Sequence, residues 1–292
     1  MDRVLRNALN NHVIIVMIFL GLILQCIDVS GLAYYDRTGA VLVSTKAFCF
    51  AWAFIHAIAF VGIINLVAWA SIERHILIFH PNLVRTKIKR FFLHYLPLVI
   101  CVMCPGVFYF TMFFIVPCSV TMSYNKIECG YYSCVTVNPS VALYDSVVNY
   151  IIAPFIIVIF SVALIIRVLA SKCRARQRIQ WRNYKKMAIQ LLSISFLYIF
   201  LYFPPIFFYA AYTAGLLQYI IATSYYSDSN YFAYYAILLT PFVCALSMPE
   251  LRTKFKICFP CCRRRRAAVG PQALMMTRPQ AGPTAAIATI AQ

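Results

Sequence analysis

The chain has 292 residues, of which 63% are hydrophobic and only 12% are charged, and its mean hydropathy is +0.78. A water-soluble domain is nearer half apolar and about one quarter charged, so a soluble fold of this size could not cover its surface with so few charges. The composition therefore excludes an ordinary soluble protein and favours a membrane-embedded one. The net charge of +18 must then be explained by where the basic residues lie relative to the membrane.

Six apolar windows follow one another along the chain, each close to the ~20 residues that a helix needs to cross the hydrocarbon core. They cover residues 13–35, 48–72, 94–116, 146–169, 187–212 and 231–248. The strands of a membrane barrel would alternate apolar and polar residues, whereas these windows are solidly apolar. We therefore predict an all-α membrane protein in which six membrane helices are visible.

Basic residues are distributed unevenly between the segments that join the windows. All but three of the 26 Lys and Arg residues fall in alternate segments: the N-terminal piece, the second and fourth loops, and the tail. Lys and Arg collect on the cytosolic side of membrane proteins, so both ends of this chain are expected in the cytosol. Dispersal among short loops favours membrane lipids as the partner of these charges and argues against nucleic acid.

The chain is predicted to divide into a helical part and a tail. Residues 1–262 form the membrane bundle and end in an amphipathic helix at 249–259. Residues 263–292 form a cytosolic tail that is first basic and then, where it becomes rich in Ala, Pro and Thr, disordered.

Four of the twelve cysteines lie on the predicted outer side. Cys49 opens the second window, and Cys118, Cys129 and Cys134 lie in the third loop. The exterior is oxidising, so these four can form disulfides. Their connectivity cannot be read from the spacing.

Three further cysteines follow the last window beside basic residues: Cys258, Cys261 and Cys262. Juxtamembrane cysteines of this kind are candidates for palmitoylation. A zinc site is the alternative interpretation, but the segment lacks enough further ligands nearby.

Three ionisable residues, Glu73, Arg74 and His75, close the second window. Arg74 lies 25 residues after Cys49, about 37 Å along a helix, which places it at the inner face. Charged residues at the edge of a membrane helix are costly and usually functional. The alternative interpretation is an Arg that only extends its charged end to the interface.

The segment ERHILIFHP, residues 73–81, resembles the Asp/Glu-Arg-Tyr motif of rhodopsin-like (class A) G-protein-coupled receptors, in which an apolar residue and a proline follow the triplet. The residues at matching places are Glu73, Arg74, His75, Ile78 and Pro81. Cys49 matches the outer cysteine of the family's third helix.

Weaker similarities extend the match over residues 10–262. They are Pro154, FPP at 203–205, TPFVC at 240–244 and PELRTKFKICFPCC at 249–262. The loops are similar to those of orphan receptors that are expanded in some invertebrates, such as rotifers. The family's sodium-binding Asp is replaced by apolar Leu20 and Gly21.

The resemblance implies a seven-transmembrane-helix receptor bundle at the plasma membrane, in which the six windows are helices two to seven. The first helix is then missing, either because the gene model is incomplete or because the product has six helices. Arg74 would contact the α-subunit of a heterotrimeric G protein, and Glu73 would restrain Arg74 in the resting state.

The resemblance also implies a disulfide from Cys49 to Cys134 or Cys129, with Cys118 available to pair with the other cysteine. An unknown extracellular ligand would bind in the outer half of the bundle. The residues expected to line its pocket are His56, Phe60, Ser146, Tyr150, Phe203, Phe207, Asn230 and Tyr234. His56 stands where amine receptors have an acid, which favours a peptide or small chemosensory ligand over a monoamine.

Three other functions compete with the receptor: a silent receptor remnant, a multi-pass transporter or channel, and a membrane enzyme. The only intramembrane acids that we predict are Asp28 and the terminal Glu73. The five histidines have almost no acidic partners in this interpretation: His12, His56, His75, His80 and His94. We therefore predict no enzymatic activity, no metal and no cofactor.

Overall fold

The computed structural model describes residues 3–117, 123–130, 133–174, 193–214, 232–236, 238–240 and 242–243. All regular structure within these residues is helical, which confirms the all-α class. Four helical stretches are long and apolar enough to cross a membrane by length and composition: His12–Thr38, Lys46–Leu77, Lys87–Ile115 and Pro139–Arg167. The first four predicted windows are thus confirmed as helices that are compatible with a membrane protein.

Helix α1 consists of Arg3–Leu24, a π-helical turn at Gln25–Val29 and a last part at Ser30–Thr38. It ends at Gly39, whose φ of 71° is left-handed and whose N–H donates to the carbonyl of Tyr35. A glycine adopts this conformation without the steric cost that a Cβ adds, which is why helices often stop there.

Helix α2 is one uninterrupted α-helix of 34 residues, Lys46–Phe79, about 51 Å long. At its start the hydroxyl of Thr45 accepts a hydrogen bond from the N–H of Phe48. It ends before Pro81, because a proline disfavours helical backbone in the residue that precedes it. A short 3₁₀ turn at Pro81–Val84 follows.

Helix α3 consists of Lys87–Arg90, a π-helical turn at Phe91–Tyr95, the α-helical stretch Leu96–Phe110 and a second π-helical turn at Thr111–Ile115. The side chain of Thr86 accepts from the N–H of Lys89 and caps the helix. The helix therefore begins seven residues before the predicted window.

Helix α4 consists of Pro139–Tyr144, a π-helical segment at Asp145–Ile151 and Ile152–Arg174. Asn138 caps it by accepting from the N–H of Ser140, and Pro139 occupies the first turn, where a missing N–H costs nothing. This start also precedes the predicted window, since a capped helix can continue into the polar interface beyond the apolar residues.

Helix α5 runs through residues 193–197, the π-helical turn Tyr198–Tyr202 and Phe203–Thr213. Its apolar stretch Ser193–Phe208 is shorter than a membrane span. Part of the fifth window precedes it and lies outside the described residues. Within the sixth window, residues 232–236 and 238–240 are helical.

Helix α2 lies at the centre of the packing and contacts α1, α3 and α4. Ala53, Ala57, Val61 and Ile64 lie on one stripe of this helix and are fully buried. Small residues let membrane helices approach closely. The outer faces of the other helices expose large apolar side chains, such as Phe19 and Val107, as expected where lipid replaces water.

By its internal contacts the chain divides into Met1–Thr253 and Lys254–Gln292. The second unit contains no described residue. The predicted amphipathic helix at 249–259, the tail at 263–292 and the lipidation candidates Cys258, Cys261 and Cys262 all lie outside the described residues.

Candidate functional site

A buried cluster of polar side chains lies at the end of α2 where the Glu-Arg-His triplet stands. The carboxylate of Glu73 is bonded to Nδ1 of His94 on α3, and both residues are almost fully buried. The Nε2 atom of His94 lies 3.2 Å from Nδ1 of His12 on α1. These three residues, which we call the Glu73 cluster, join three helices.

The guanidinium of Arg74 is next to this cluster in sequence and is also buried, with 2% of the residue exposed. A buried charge is strongly destabilising unless other groups compensate it. The sequence predicted that Glu73 would restrain Arg74, but it did not predict the bond from Glu73 to His94. The carboxylate beside Arg74 is thus held by a second helix.

The remaining residues of the predicted coupling motif lie around the end of α2. The ring of His75 faces away from the Glu73 cluster, 5.0 Å from the ring of Phe79 and 5.7 Å from that of Phe160 on α4. Ile78 is in the last turn of α2, and Pro81 starts the 3₁₀ turn that follows.

The opposite end of α2 is held by a disulfide between Cys49 and Cys129, with Cα atoms 5.7 Å apart. Of the two partners considered from the sequence, the structure selects Cys129, which lies in the turn Ile127–Gly130 between α3 and α4. Cys134 is disulfide-bonded as well. Cys118 lies outside the described residues.

A second buried cluster lies two turns below this disulfide and is centred on Asp28 of α1, which is 1% exposed. Nε1 of Trp52 donates to its Oδ1 over 2.8 Å, and Nδ1 of His56 lies 2.9 Å from its Oδ2. Gly31 makes room for the indole, because a Cβ there would lie 2.9 Å from Cζ2 of Trp52. We call Asp28, Trp52 and His56 the Asp28 cluster.

Four of the predicted pocket residues are brought together beside the Asp28 cluster. The ring of Phe60 lies 6.1 Å from that of Tyr150 and 6.1 Å from that of Tyr234, and the ring of His56 lies 5.8 Å from that of Tyr234. Tyr202, which the sequence did not single out, joins them 5.7 Å from Phe60. These distances are those of packed aromatic pairs.

The other predicted pocket residues are placed differently. The rings of Phe203 and Phe207 stack on each other, and Phe207 is half exposed on the outer surface of α5. Ser146 is fully buried and its hydroxyl donates to the carbonyl of Ala142 on its own helix. Asn230 lies outside the described residues.

A third buried carboxylate was missed entirely from the sequence. Asp145 of α4 is fully buried and accepts from the hydroxyl of Tyr109 on α3 over 2.8 Å and from Nδ2 of Asn149 over 2.7 Å. It precedes the predicted window by a single residue, but it lies within the long apolar helix Pro139–Arg167. The prediction that Asp28 and Glu73 are the only intramembrane acids is therefore wrong.

The prediction that the histidines have almost no acidic partners is also wrong. His56 is paired with Asp28, and His94 is paired with Glu73. Within the described parts of the chain, no three potential metal ligands lie close enough to share an ion. Carboxylate–imidazole pairs without a metal are chemically suited to hold and transfer protons.

Comparison with known proteins adds no relative. No family model matches the sequence, and no curated protein matches it.

Proposed function

We propose that this chain is a rhodopsin-like G-protein-coupled receptor, which transmits the binding of an extracellular ligand at the plasma membrane to a heterotrimeric G protein. The observation that carries the proposal is the arrangement of α2. One uninterrupted helix begins near a disulfide to the loop between α3 and α4, and carries the buried residues Glu73 and Arg74 near its other end.

The two ends of α2 fit the two tasks of such a receptor. Disulfides persist in an oxidising compartment, so the end with Cys49 and Cys129 belongs outside. The other end is followed by the basic residues of the Lys87–Arg90 turn, which belong in the cytosol. Arg74 at that end is then placed to meet a cytosolic partner once the helices around it separate.

The aromatic cluster around Phe60 is the proposed ligand site. It lies in the outer half of the bundle and includes His56, which is already paired with Asp28. This pairing occupies the neighbouring carboxylate, so a peptide or a small chemosensory molecule fits the site better than a monoamine. The aromatic rings of Tyr150 and Tyr234 supply apolar contact area together with hydroxyl groups.

The proposal is tested by nucleotide-sensitive binding of a G protein. Purified full chain in lipid nanodiscs is mixed with heterotrimers of each α-subunit class after removal of nucleotide, and binding is measured before and after GTPγS is added. We expect one class to bind and to be released by GTPγS. Arg74→Ala should weaken binding about thirtyfold or more, because truncating a buried charge at an interface costs about 2–5 kcal/mol.

The matched control is Arg85→Ala, which removes an exposed arginine at the same end of the bundle. Its binding should equal that of the wild type. The absence of GTPγS-sensitive binding for every class, or equal losses in Arg74→Ala and Arg85→Ala, would contradict the receptor proposal.

A proton-coupled transporter is a second candidate, favoured by the buried carboxylate–histidine pairs. Acidic and histidine side chains inside membrane helices are typical of proton relays in pumps and transporters. Reconstituted chain would then carry protons into liposomes down a pH gradient, and Asp28→Asn would abolish that flux. A receptor would bind a G protein without such flux, and a silent remnant would do neither.

A further inference from the structure

The Glu73 cluster is a linear array of three titratable side chains. A carboxylate can only accept a hydrogen bond, so the His94 atom bonded to it, Nδ1, must donate. A neutral imidazole has one donor and one acceptor, so Nε2 of His94 must then accept. The remaining bond, 3.2 Å long, must be donated by Nδ1 of His12. Every hydrogen bond therefore points from His12 toward Glu73.

The two ends of the array differ in their access to water. His12 is only partly buried and stands near the beginning of the apolar part of α1, whereas His94 and Glu73 have almost no exposed surface. With Nδ1 of His12 committed to His94, its Nε2 is the nitrogen left to take up a proton from outside the array. Within the described parts of the chain, the two imidazoles connect the partly exposed His12 to the buried carboxylate through hydrogen bonds.

We propose that His12 and His94 form a two-histidine proton path to the buried carboxylate of Glu73. A proton from water binds Nε2 of His12, which releases its Nδ1 proton to Nε2 of His94. His94 then releases its own Nδ1 proton to the oxygen of Glu73. One proton enters, one O–H bond forms on Glu73, and each imidazole ends neutral in its other tautomer.

The product of this transfer is as fully hydrogen-bonded as the starting state. The O–H of protonated Glu73 now donates to Nδ1 of His94, and Nε2 of His94 donates to Nδ1 of His12. All bonds have reversed direction while the heavy atoms keep their places. The array is therefore a bistable element whose buried charge changes by one unit, and it would operate whether or not the chain couples to a G protein.

Other charged and titratable groups surround the array. Arg74 follows Glu73 on α2. Arg90 precedes His94 by one turn on α3, with its Nε buried. The ring of Tyr95 lies 4.7 Å from that of His94 and 6.0 Å from that of His12.

The test is a time-resolved infrared measurement on purified full chain in nanodiscs. The pH is lowered abruptly, and the carbonyl band of a newly protonated carboxylic acid is followed. The band that disappears in Glu73→Gln is assigned to Glu73. In His12→Phe and His94→Phe this band should appear about 100-fold more slowly, as expected when a positioned proton-transfer group is removed. His80→Phe, which replaces an exposed histidine at the same end, should leave the rate unchanged.

The partly exposed His12 keeps the test decisive if the buried His94→Phe variant does not fold. In His12→Phe the final amplitude of the band should equal that of the wild type while its rate falls, whereas general disruption of the fold would change the amplitude. A Glu73 band that appears at the wild-type rate in His12→Phe would overturn the proposal. So would the absence of any Glu73-dependent band in the wild type.

Discussion

At the scale of single residues, Asp28 shows how this bundle of apolar helices holds a buried carboxylate. Each of the two carboxylate oxygens contacts a side chain of α2: Oδ1 contacts the indole of Trp52, and Oδ2 contacts the imidazole of His56. An unpaired carboxylate in this position would cost several kcal/mol. The cluster is therefore a contact that aligns α1 with α2.

Replacing Trp52 by Phe should lower the free energy of unfolding in detergent by about 1–3 kcal/mol, because Asp28 loses a donor while remaining buried. Trp69→Phe is the control, since Nε1 of Trp69 has no hydrogen-bond partner among the described residues. Thermal unfolding of both variants measures the difference. Equal stability losses would show that the indole acts by packing alone.

Gly31 should be intolerant of even one methyl group. The added Cβ of Gly31→Ala would approach the ring of Trp52 to 2.9 Å, and that ring is fixed by its bond to Asp28. We expect a loss of about 1–3 kcal/mol, as for other overpacked sites. Gly62→Ala is the control, because its Cβ would lie 3.6 Å from Leu20, an ordinary contact. A stable Gly31→Ala variant would contradict the proposed close approach.

At the scale of elements, each group around a buried carboxylate includes one residue that lies in a π-helical segment. Asp28 lies in Gln25–Val29, His94 in Phe91–Tyr95, and Asp145 begins the segment that ends at Ile151. A π-helical turn contains more residues than an α-helical turn, so it shifts the register of the side chains that follow. Polar groups can thus reach a neighbouring helix without breaking the apolar face on either side.

The disulfide connects α2 to a distant loop, and its removal tests how much this connection contributes. Cys49→Ser with Cys129→Ser opens a loop of 80 residues, for which chain entropy predicts a loss of at most about 4.5 kcal/mol. Thermal unfolding with and without reductant measures it. Cys104→Ser, which removes an exposed free cysteine, should change nothing. A wild type insensitive to reductant would contradict a stabilising role.

The sequence predicted the helices better than the clusters that they carry. Uninterrupted apolar windows are sufficient to locate the long helices. The residue at which a helix begins, however, depends on a capping side chain such as that of Thr86. The pairing of Asp28 with His56 was in principle visible, since the two residues lie seven and eight residues from the facing ends of consecutive windows. At equal depth, an acid and a histidine on adjacent helices are expected to meet. The π-helical turns also shift the register of the side chains that follow them, and this shift leaves no signal in the hydropathy of the sequence.

At the scale of the whole molecule, two independent features predict the same orientation in a membrane. A disulfide is expected in an oxidising compartment, outside the cell, and the basic residues around Lys87–Arg90 are expected in the cytosol. An N-glycosylation acceptor inserted after Gly39 should therefore be modified in cells. The same acceptor inserted after Asn82 should remain unmodified. The electrophoretic mobility of each variant before and after glycosidase treatment measures the modification. Glycosylation of only the variant with the acceptor after Asn82 would show that the orientation is opposite to the predicted one.

The continuity of α2 has a mechanical consequence. The helix has no π-helical turn and no proline between Lys46 and Phe79, so it turns about its axis as one rigid rod. His56 and Glu73, about 25 Å apart along that rod, each bind a different neighbouring helix. Any torsion that breaks one of these contacts must strain the other. A rotation of α2 at one end of the helix is therefore expected at its other end as well.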